Sequence, residues 1–287
     1  MGSYELSLVT LAAIYAMLAL SLNLITGFCG QISLGHAAFF GAGAYAAALL
    51  SKSGGPFVAA LGAGMLVAAL FGLVVGLASL RVRHDFLAIT TMGVGFLFLG
   101  FVRKQKALGA ELGISGIPDH GLGAWGLALL AVALTVATAI LSLHIRRAWA
   151  GRAFAAIADD EDTARTMGID VVRYKLVAFV MGTAIAGLAG GVFAHFTRFI
   201  IPDAFGFTVS ISILAMVIVG GIGSTWGVLV GAVMLTLLPE LFRFINDYKL
   251  LIYGSLLLLV MRFAPGGLAG ALAPLFRRAG TAAGGAR

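Results

Sequence analysis

LSLVTLAAIYAMLALSLNLITGFCGQISLGHAAFFGAGAYAAALLS, residues 6–51, contains no Asp, Glu, Lys or Arg. A helix needs about 20 apolar residues to cross the hydrocarbon core of a bilayer, so this stretch can hold two crossings. A charged side chain at the centre of the bilayer costs about 3 kcal/mol on insertion scales. Intervals without charge therefore predict where the chain spans a membrane.

The rest of the chain repeats this pattern. Of the 287 residues, 61% are hydrophobic and 11% are charged, and the mean hydropathy is +1.05, which excludes a water-soluble domain. Further charge-free intervals cover residues 53–80, 120–145, 176–197 and 204–239. The net charge of +7 does not indicate nucleic-acid binding, because the basic residues lie beside the predicted spans.

These spans are predicted to be helices, because a backbone in lipid must satisfy its own hydrogen bonds and no period-two alternation indicates a barrel. We predict an all-α, polytopic transmembrane helix bundle of about eight or nine spans, forming one domain over residues 1–287. The nine candidates are Tyr4–Thr26, Ser33–Ser51, Phe57–Leu80, Phe86–Val102, Leu122–Ile145, Tyr174–Phe196, Phe207–Gly221, Trp226–Phe244 and Leu250–Phe263.

The basic residues predict the orientation, because Lys and Arg in short loops stay on the cytoplasmic side. Three basic groups mark one side: Arg81 with Arg83, the cluster within residues 146–175, and Arg277 with Arg278. Nine spans then place the N-terminus outside and the C-terminal tail, residues 265–287, in the cytoplasm. Arg103, Lys104 and Lys106 are the exception: either the rule is overridden there, or Phe86–Val102 does not cross fully.

Two glycine-rich stretches interrupt the apolar pattern. Polar residues accompany Gly27, Gly30 and Gly35 in the first stretch, and Ser224 follows Gly220, Gly221 and Gly223 in the second. Interrupted helices at membrane depth face protein or a water-filled cavity and can expose backbone groups to a solute. The alternative is a short polar loop between two spans. On the first interpretation, the candidates for the translocation path are Asn23, Gln31, Ser33, Gly35, His36 and Ser224.

Neither stretch fits a nucleotide site. The glycines at positions 30 and 35 are followed by His36 and Ala37 instead of Lys and Ser or Thr, which excludes a phosphate-binding P-loop. The second stretch has the wrong spacing for a dinucleotide fingerprint. Cys29 is the only cysteine, which excludes an intrachain disulfide and a multi-cysteine metal site. We expect no metal and no cofactor bound by this chain.

Residues 146–175 form the longest polar stretch. An acidic run at residues 159–162 can solvate one face of a short amphipathic helix, and Gly168 suits its end. The alternative is an ordinary connecting loop. On the helix interpretation, the apolar stripe consists of Ala153, Ala156, Ile157, Ala164 and Met167.

Three stretches resemble the branched-chain amino acid ABC transporter permeases of the LivM type. They are GFCGQISLGHAAFFGAGAY at 27–45, RAFAAIADDEDTARTMGI at 152–169 with YKLVAF at 174–179, and GGIGSTWG at 220–227 with Gly231. The resemblance implies that residues 151–170 are a cytoplasmic coupling loop. The general pattern of this loop has Glu-Ala-Ala where this chain has Glu161, Asp162 and Thr163. The implied ATPase-coupling residues are Arg152, Ala156, Asp159, Glu161, Ala164 and Gly168.

The resemblance also implies a function. The chain would be a multi-pass permease subunit in a bacterial inner membrane, without enzyme activity of its own. Its partners would be ABC ATPase subunits that use ATP, a second homologous permease in a heterodimer, and a periplasmic binding protein that delivers branched-chain or other small amino acids. Two alternatives stay open: a urea or short-chain amide importer of the same family, and an ion-coupled secondary transporter with His36 as its proton site. The second is disfavoured because Asp85, Asp203 and Glu240 lie near the ends of spans.

Overall fold

Helices make up nearly all of the described chain. The structure, a computed structural model, describes residues 3–79, 84–119, 121–241, 249–263, 266–268 and 270. Arg81, Arg83, Phe244, Arg277, Arg278 and most of the predicted tail therefore lie outside the described residues. The helices are α1 (Ser3–Leu22), α2 (His36–Lys52), α3 (Phe57–Ser79), α4 (His84–Lys104), α5 (Gly123–Arg147), α6 (Trp149–Asp159), α7 (Glu161–Thr166), α8 (Val171–Thr197), α9 (Phe207–Gly220), α10 (Thr225–Leu241) and α11 (Lys249–Phe263).

Short elements join these helices. A π-helix, Asn23–Phe28, continues directly from α1, and 3₁₀ turns cover Lys106–Leu108, Ala110–Leu112 and Pro202–Phe205. Two antiparallel strands of two residues, β1 (Ile114–Ser115) and β2 (Phe199–Ile200), pair the segment after α4 with the segment after α8.

The helices confirm the all-α membrane architecture. Six segments of the described chain are long and apolar enough to cross a bilayer: Tyr4–Phe28, Phe57–Ser79, Leu87–Lys104, Gly123–Arg147, Val171–Thr197 and Pro202–Gly220. Thr225–Glu240 and Leu251–Val260 are shorter apolar helices. The count of eight or nine spans stays a prediction.

Close helix crossings organise the bundle around α8, which packs against both α2 and α3. A Cβ atom added to Gly43 of α2 would lie 2.3 Å from the Cα of Gly187 in α8, and one added to Gly190 would lie 2.1 Å from the Phe40 carbonyl oxygen. Without a hydrophobic effect between helices in lipid, such backbone contact is a main source of packing energy. Gly187 and Gly191, four positions apart on α8, both face α3 and contribute to this contact.

The two ends of the bundle differ. At one end, the Tyr4 hydroxyl lies 3.5 Å from the Glu240 carboxylate, so the start of α1 adjoins the end of α10. Arg103 pairs with Asp203 at this end. At the opposite end, helices α6 and α7 pack on the chain between α1 and α2. We call the end that carries Tyr4 and Glu240 the open end, and the opposite end the α6–α7 end.

Helix α4 resolves part of the uncertainty about Phe86–Val102. It is continuous over His84–Lys104, and its residues Leu87–Lys104 are long and apolar enough to cross a bilayer. Its basic C-terminus lies at the open end, where the carboxylate of Asp203 partners Arg103. That ion pair supplies a local reason for a positive charge on this side.

The predicted amphipathic helix is two helices. Asp160 interrupts it, because its backbone is extended (φ −160°, ψ 116°) and ends α6 while capping α7. Ala153, Ile157 and Ala164 are buried as predicted, and Ala156 is partly buried. Met167 is 74% exposed because it follows the last turn of α7, so its predicted place in the apolar stripe is wrong.

Candidate translocation and coupling site

The first glycine-rich stretch is a true interruption. Residues 30–35 are non-helical, and α2 then begins at His36. Gly30 has φ +70°, a conformation that glycine adopts at little cost. A Cβ atom on Gly35 would lie 1.9 Å from the carbonyl oxygen of Thr91 in α4, and the Leu34 amide donates to the Thr91 hydroxyl at 3.0 Å. The backbone of α4 therefore lies directly against the interruption.

The second glycine-rich stretch turns the chain between α9 and α10. Gly221 and Gly223 have φ values of +111° and +80°, which favour glycine. The Gly223 amide donates to the Asn23 side-chain oxygen at 2.9 Å, across 200 residues of sequence. A Cβ atom on Gly27 would lie 2.6 Å from the Gly223 nitrogen. The two interruptions thus contact each other through Asn23 and Gly27.

Several of the predicted path residues carry buried polar atoms without a partner. The Asn23 Nδ2, the Ser33 Oγ and the His36 Nδ1 are buried and have no hydrogen-bond partner among the described residues. Buried polar atoms are nearly always satisfied, so a group of unsatisfied ones calls for water or a polar ligand. The other ring nitrogen of His36 lies 2.7 Å from the hydroxyl of Ser21, a residue that sequence analysis missed because it sits inside an apolar helix.

Gln31 and Ser224 have hydrogen-bond partners instead. The Gln31 amide donates to the Lys175 carbonyl oxygen at 3.0 Å and to the Cys29 sulfur at 3.4 Å. It ties the first interruption to the start of α8. The Ser224 hydroxyl accepts from the Gly227 amide at 3.2 Å and so caps the start of α10. Both hydrogen bonds therefore stabilise the conformation of the interruptions.

The α6–α7 segment, residues 149–166, packs on the same interruption. Its apolar face buries Phe154 completely, and a Cβ atom on Gly30 would lie 3.1 Å from the Cα of Ala158. Glu161, at the start of α7, forms an ion pair with Lys175, and both side chains are largely buried. Lys175, whose backbone carbonyl binds Gln31, was assigned only a topological role by sequence analysis. The segment therefore contacts the interruption directly at Ala158. It is also connected to it through the Glu161–Lys175 ion pair, because the Lys175 backbone carbonyl accepts from Gln31.

The remaining predicted coupling residues divide by exposure. Ala164 is buried in the contact, and Ala156 is partly buried. Three residues are exposed on the outer side: Arg152, Asp159 and Gly168. The Arg152 guanidinium lies over the Trp149 ring at 5.4 Å, and Gly168 has φ +83°. This exposed side is the surface that a partner at the α6–α7 end could contact.

Asp160 holds the start of α7. Its carboxylate accepts from the Asp162 amide at 2.8 Å, the Thr163 amide at 3.2 Å and the Thr163 hydroxyl at 3.0 Å. The hydrogen bonds from the Thr163 amide and hydroxyl, and then from the Asp162 amide, hold the pKa of Asp160 below its ordinary value. A depressed folded-state pKa stabilises α7 above the ordinary pKa, and this contribution is lost as the pH falls through the folded-state pKa.

We expect Asp160→Ala to loosen α7, because the amides of residues 162 and 163 lose their acceptor. Amide hydrogen exchange at these two positions should accelerate several-fold at neutral pH. Asp160→Asn is the matched control and should exchange like the wild type, because Asn caps helices as well as Asp does. Unchanged exchange in Asp160→Ala would contradict the capping role.

Comparison with known proteins identifies the family. Residues 5–261 match the family model described as "Branched-chain amino acid transport system / permease component", a range that includes both interruptions and the α6–α7 segment. The chain belongs to this family of permease components.

Individual permeases are similar over most of their length. The high-affinity branched-chain amino acid transport system permease protein LivM of Salmonella typhimurium is 34% identical, over 93% of this chain and 70% of the relative. LivM of Escherichia coli is 34% identical over 90% of this chain and 68% of the relative. LivH of Escherichia coli is 27% identical over 91% of this chain and 93% of the relative. No solved structure matches the chain. The resemblance to LivM-type permeases is confirmed.

Proposed function

We propose that this permease is the membrane-spanning subunit of an ATP-driven importer for branched-chain or other small amino acids. The observation that carries the proposal is the packing of the α6–α7 segment on the first helix interruption, in a chain of this permease family. A cytoplasmic ATPase that moved α6 and α7 would thereby move the interruption. The family match and the relatives named for branched-chain amino acid transport support the choice of cargo.

The proposed topology has nine crossings, α1–α5 and α8–α11. The N-terminus lies in the periplasm, and the α6–α7 end lies in the cytoplasm, in a bacterial inner membrane. The basic residues of the α6–α7 segment support this orientation, because Arg and Lys are retained on the cytoplasmic side. The open end then faces a periplasmic binding protein that delivers the solute.

The proposed path passes the two interruptions. An amino acid carries an ammonium and a carboxylate, and it needs hydrogen-bonding groups where it passes through the apolar core. The unpartnered atoms of Asn23, Ser33 and His36 supply such groups among apolar helices. Urea and short-chain amides would meet the same groups, so this family alternative remains as the second candidate for the cargo.

The partners follow from the same proposal. Relatives of two kinds, LivM and LivH, match the chain, and a heterodimer with a second homologous permease fits that pairing. ATP would be used by the ATPase subunits, and this chain would bind no cofactor.

A secondary transporter driven by protons through His36 is less well supported. Among the described residues, Asp203 and Glu240 lie at the open end, whereas the His36 ring binds Ser21 and has no carboxylate partner. A proton site in a membrane usually pairs such a histidine with an acidic side chain.

Affinity purification of the tagged permease from membranes in mild detergent tests the proposal. An ABC ATPase should accompany the wild type and should be lost with Gly168→Pro, because φ +83° is impossible for proline. Gly116→Pro is the matched control, since Gly116 also has a positive φ but lies away from α6–α7, and the ATPase should be retained. A chain that arrives alone and transports by itself after reconstitution would overturn the importer proposal.

A further inference from the structure

A large apolar cavity lies between α2, α3 and α4, near the open end and away from the interruptions. Its volume is about 1010 Å³, and Tyr45 and Ser53 supply the polar side chains of its wall. The other wall residues are apolar, among them Ala46, Val67, Leu97 and Phe101. A cavity of this size could enclose a ligand much larger than an amino acid.

The cavity opens sideways between α3 and α4. Leu97, Phe101 and Val67 line it and are 74%, 57% and 43% exposed, so its wall is continuous with the outer surface of two long apolar helices. Such a space does not remain empty in a bilayer, because its lining would lose dispersion contacts. Water would find few hydrogen-bond partners there. Acyl chains are the molecules that the surrounding bilayer supplies.

Positive charge lies on the open-end side of this cavity. Leu49 and Phe101 line the cavity, and the exposed residues Lys52 and Lys104 each follow one of them by three positions, on the same helix face. The exposed Lys106 begins the 3₁₀ turn that carries the lining residue Leu108. In the described part of the chain, these three lysines form no ion pair. Neighbouring arginines do: Arg103 pairs with Asp203, and Arg198 pairs with Asp119 at 2.7 Å. Glu111 adds a single acidic side chain to the segment after α4. The open-end side of the cavity therefore has a surplus of positive charge.

We infer that this cavity binds an anionic phospholipid, with acyl chain in the apolar space and phosphate headgroup against Lys52, Lys104 and Lys106. Clusters of basic side chains beside membrane helices attract anionic lipid headgroups. The Tyr45 side chain is 3% exposed, and its hydroxyl has no partner among the described residues. Tyr45 belongs to the cavity wall. The inference explains why basic residues persist at the end where the topology rule disfavours them.

Native mass spectrometry of the purified full chain, with phosphatidylglycerol and phosphatidylcholine of identical acyl chains as probes, tests the inference. The wild type should retain more phosphatidylglycerol than phosphatidylcholine. The triple variant K52Q/K104Q/K106Q should lose that preference by at least about tenfold, since each lysine near a membrane surface contributes to anionic-lipid binding. The matched control R146Q/R147Q removes exposed charges at the α6–α7 end and should keep the preference.

A second pair of variants tests the acyl-chain part. Ala46→Trp and Ala63→Trp place a large side chain in the cavity wall and should lower retention of both lipids. Equal retention of the two lipids by the wild type, or an unchanged preference in the triple variant, would overturn the inference. Disulfide cross-linking of two copies of the permease through Ala46→Cys would overturn it in favour of a second copy of this chain as the occupant, and the endogenous Cys29 is buried and would not interfere.

Discussion

Glu161→Lys is expected to lower amino acid uptake per ATP hydrolysed at least about tenfold while the permease remains in the membrane. Glu161 and Lys175 form an ion pair whose side chains are 20% and 11% exposed. Reversing one charge places two ammonium groups together in a poorly solvated position, and breaking such a pair costs about 3 kcal/mol or more. The α6–α7 segment would then lose its connection to Lys175, whose backbone holds Gln31 in the first interruption.

The measurement is leucine uptake and ATP hydrolysis by the permease reconstituted with its partner subunits. Uptake per ATP hydrolysed should fall at least about tenfold, since even half of that cost is worth a factor of ten. The double variant E161K/K175E should recover part of the uptake, because it restores opposite charges. Asp162→Lys is the matched control on the same helix: that side chain is 92% exposed and should be tolerated. If Glu161→Lys kept the wild-type ratio of uptake to ATP hydrolysis, this ion pair would not transmit motion from the α6–α7 segment to the first interruption.

Gly187→Ala is expected to destabilise the whole bundle. The added Cβ atom would lie 2.3 Å from the Ala68 Cβ and 2.5 Å from the Gly64 carbonyl oxygen, so α3 and α8 would have to separate. Gly43 of α2 contacts the same glycine, so all three helices would shift. Overpacking of this kind costs about 3 kcal/mol.

Thermal unfolding in detergent and the amount of protein in membranes measure this effect. Gly93→Ala is the matched control, because nothing lies within 4 Å of its added Cβ atom. Alanine is the better helix former, so the control should be neutral or slightly stabilising, by up to about 1 kcal/mol. If Gly187→Ala unfolded at the same temperature as Gly93→Ala, the close crossing of α3 and α8 would be wrong.

The helices could be predicted from the sequence because charge is a local signal. Each charge-free interval corresponds to one or two apolar helices, and the glycine-rich stretches mark where helices end. The start of α8 differs from its prediction because Asp170 accepts from the Arg173 amide at 3.1 Å and begins the helix at Val171. Predicting such a cap requires the orientation of an exposed carboxylate side chain, which the sequence alone does not give.

The contacts between distant segments could not be predicted. Asn23 was a candidate for its polarity, but nothing in its neighbourhood indicates that its partner is Gly223. Glu161 was assigned to an outward coupling surface with its acidic neighbours, whereas its side chain turns inward to Lys175. Glu161 and Asp162 are neighbouring acidic residues, but only Glu161 is held in a largely buried ion pair, because Lys175 of α8 faces it.

Uptake of leucine into proteoliposomes is the most direct test of ATP-driven import by this permease. The vesicles would contain the permease, its second permease, the ATPase subunits and the binding protein, with and without ATP inside the compartment that the ATPase faces. We expect uptake that requires both ATP and the ATPase, and that a proton gradient alone cannot drive. Uptake by the permease alone, driven by a proton gradient and lost with His36→Gln, would contradict this expectation.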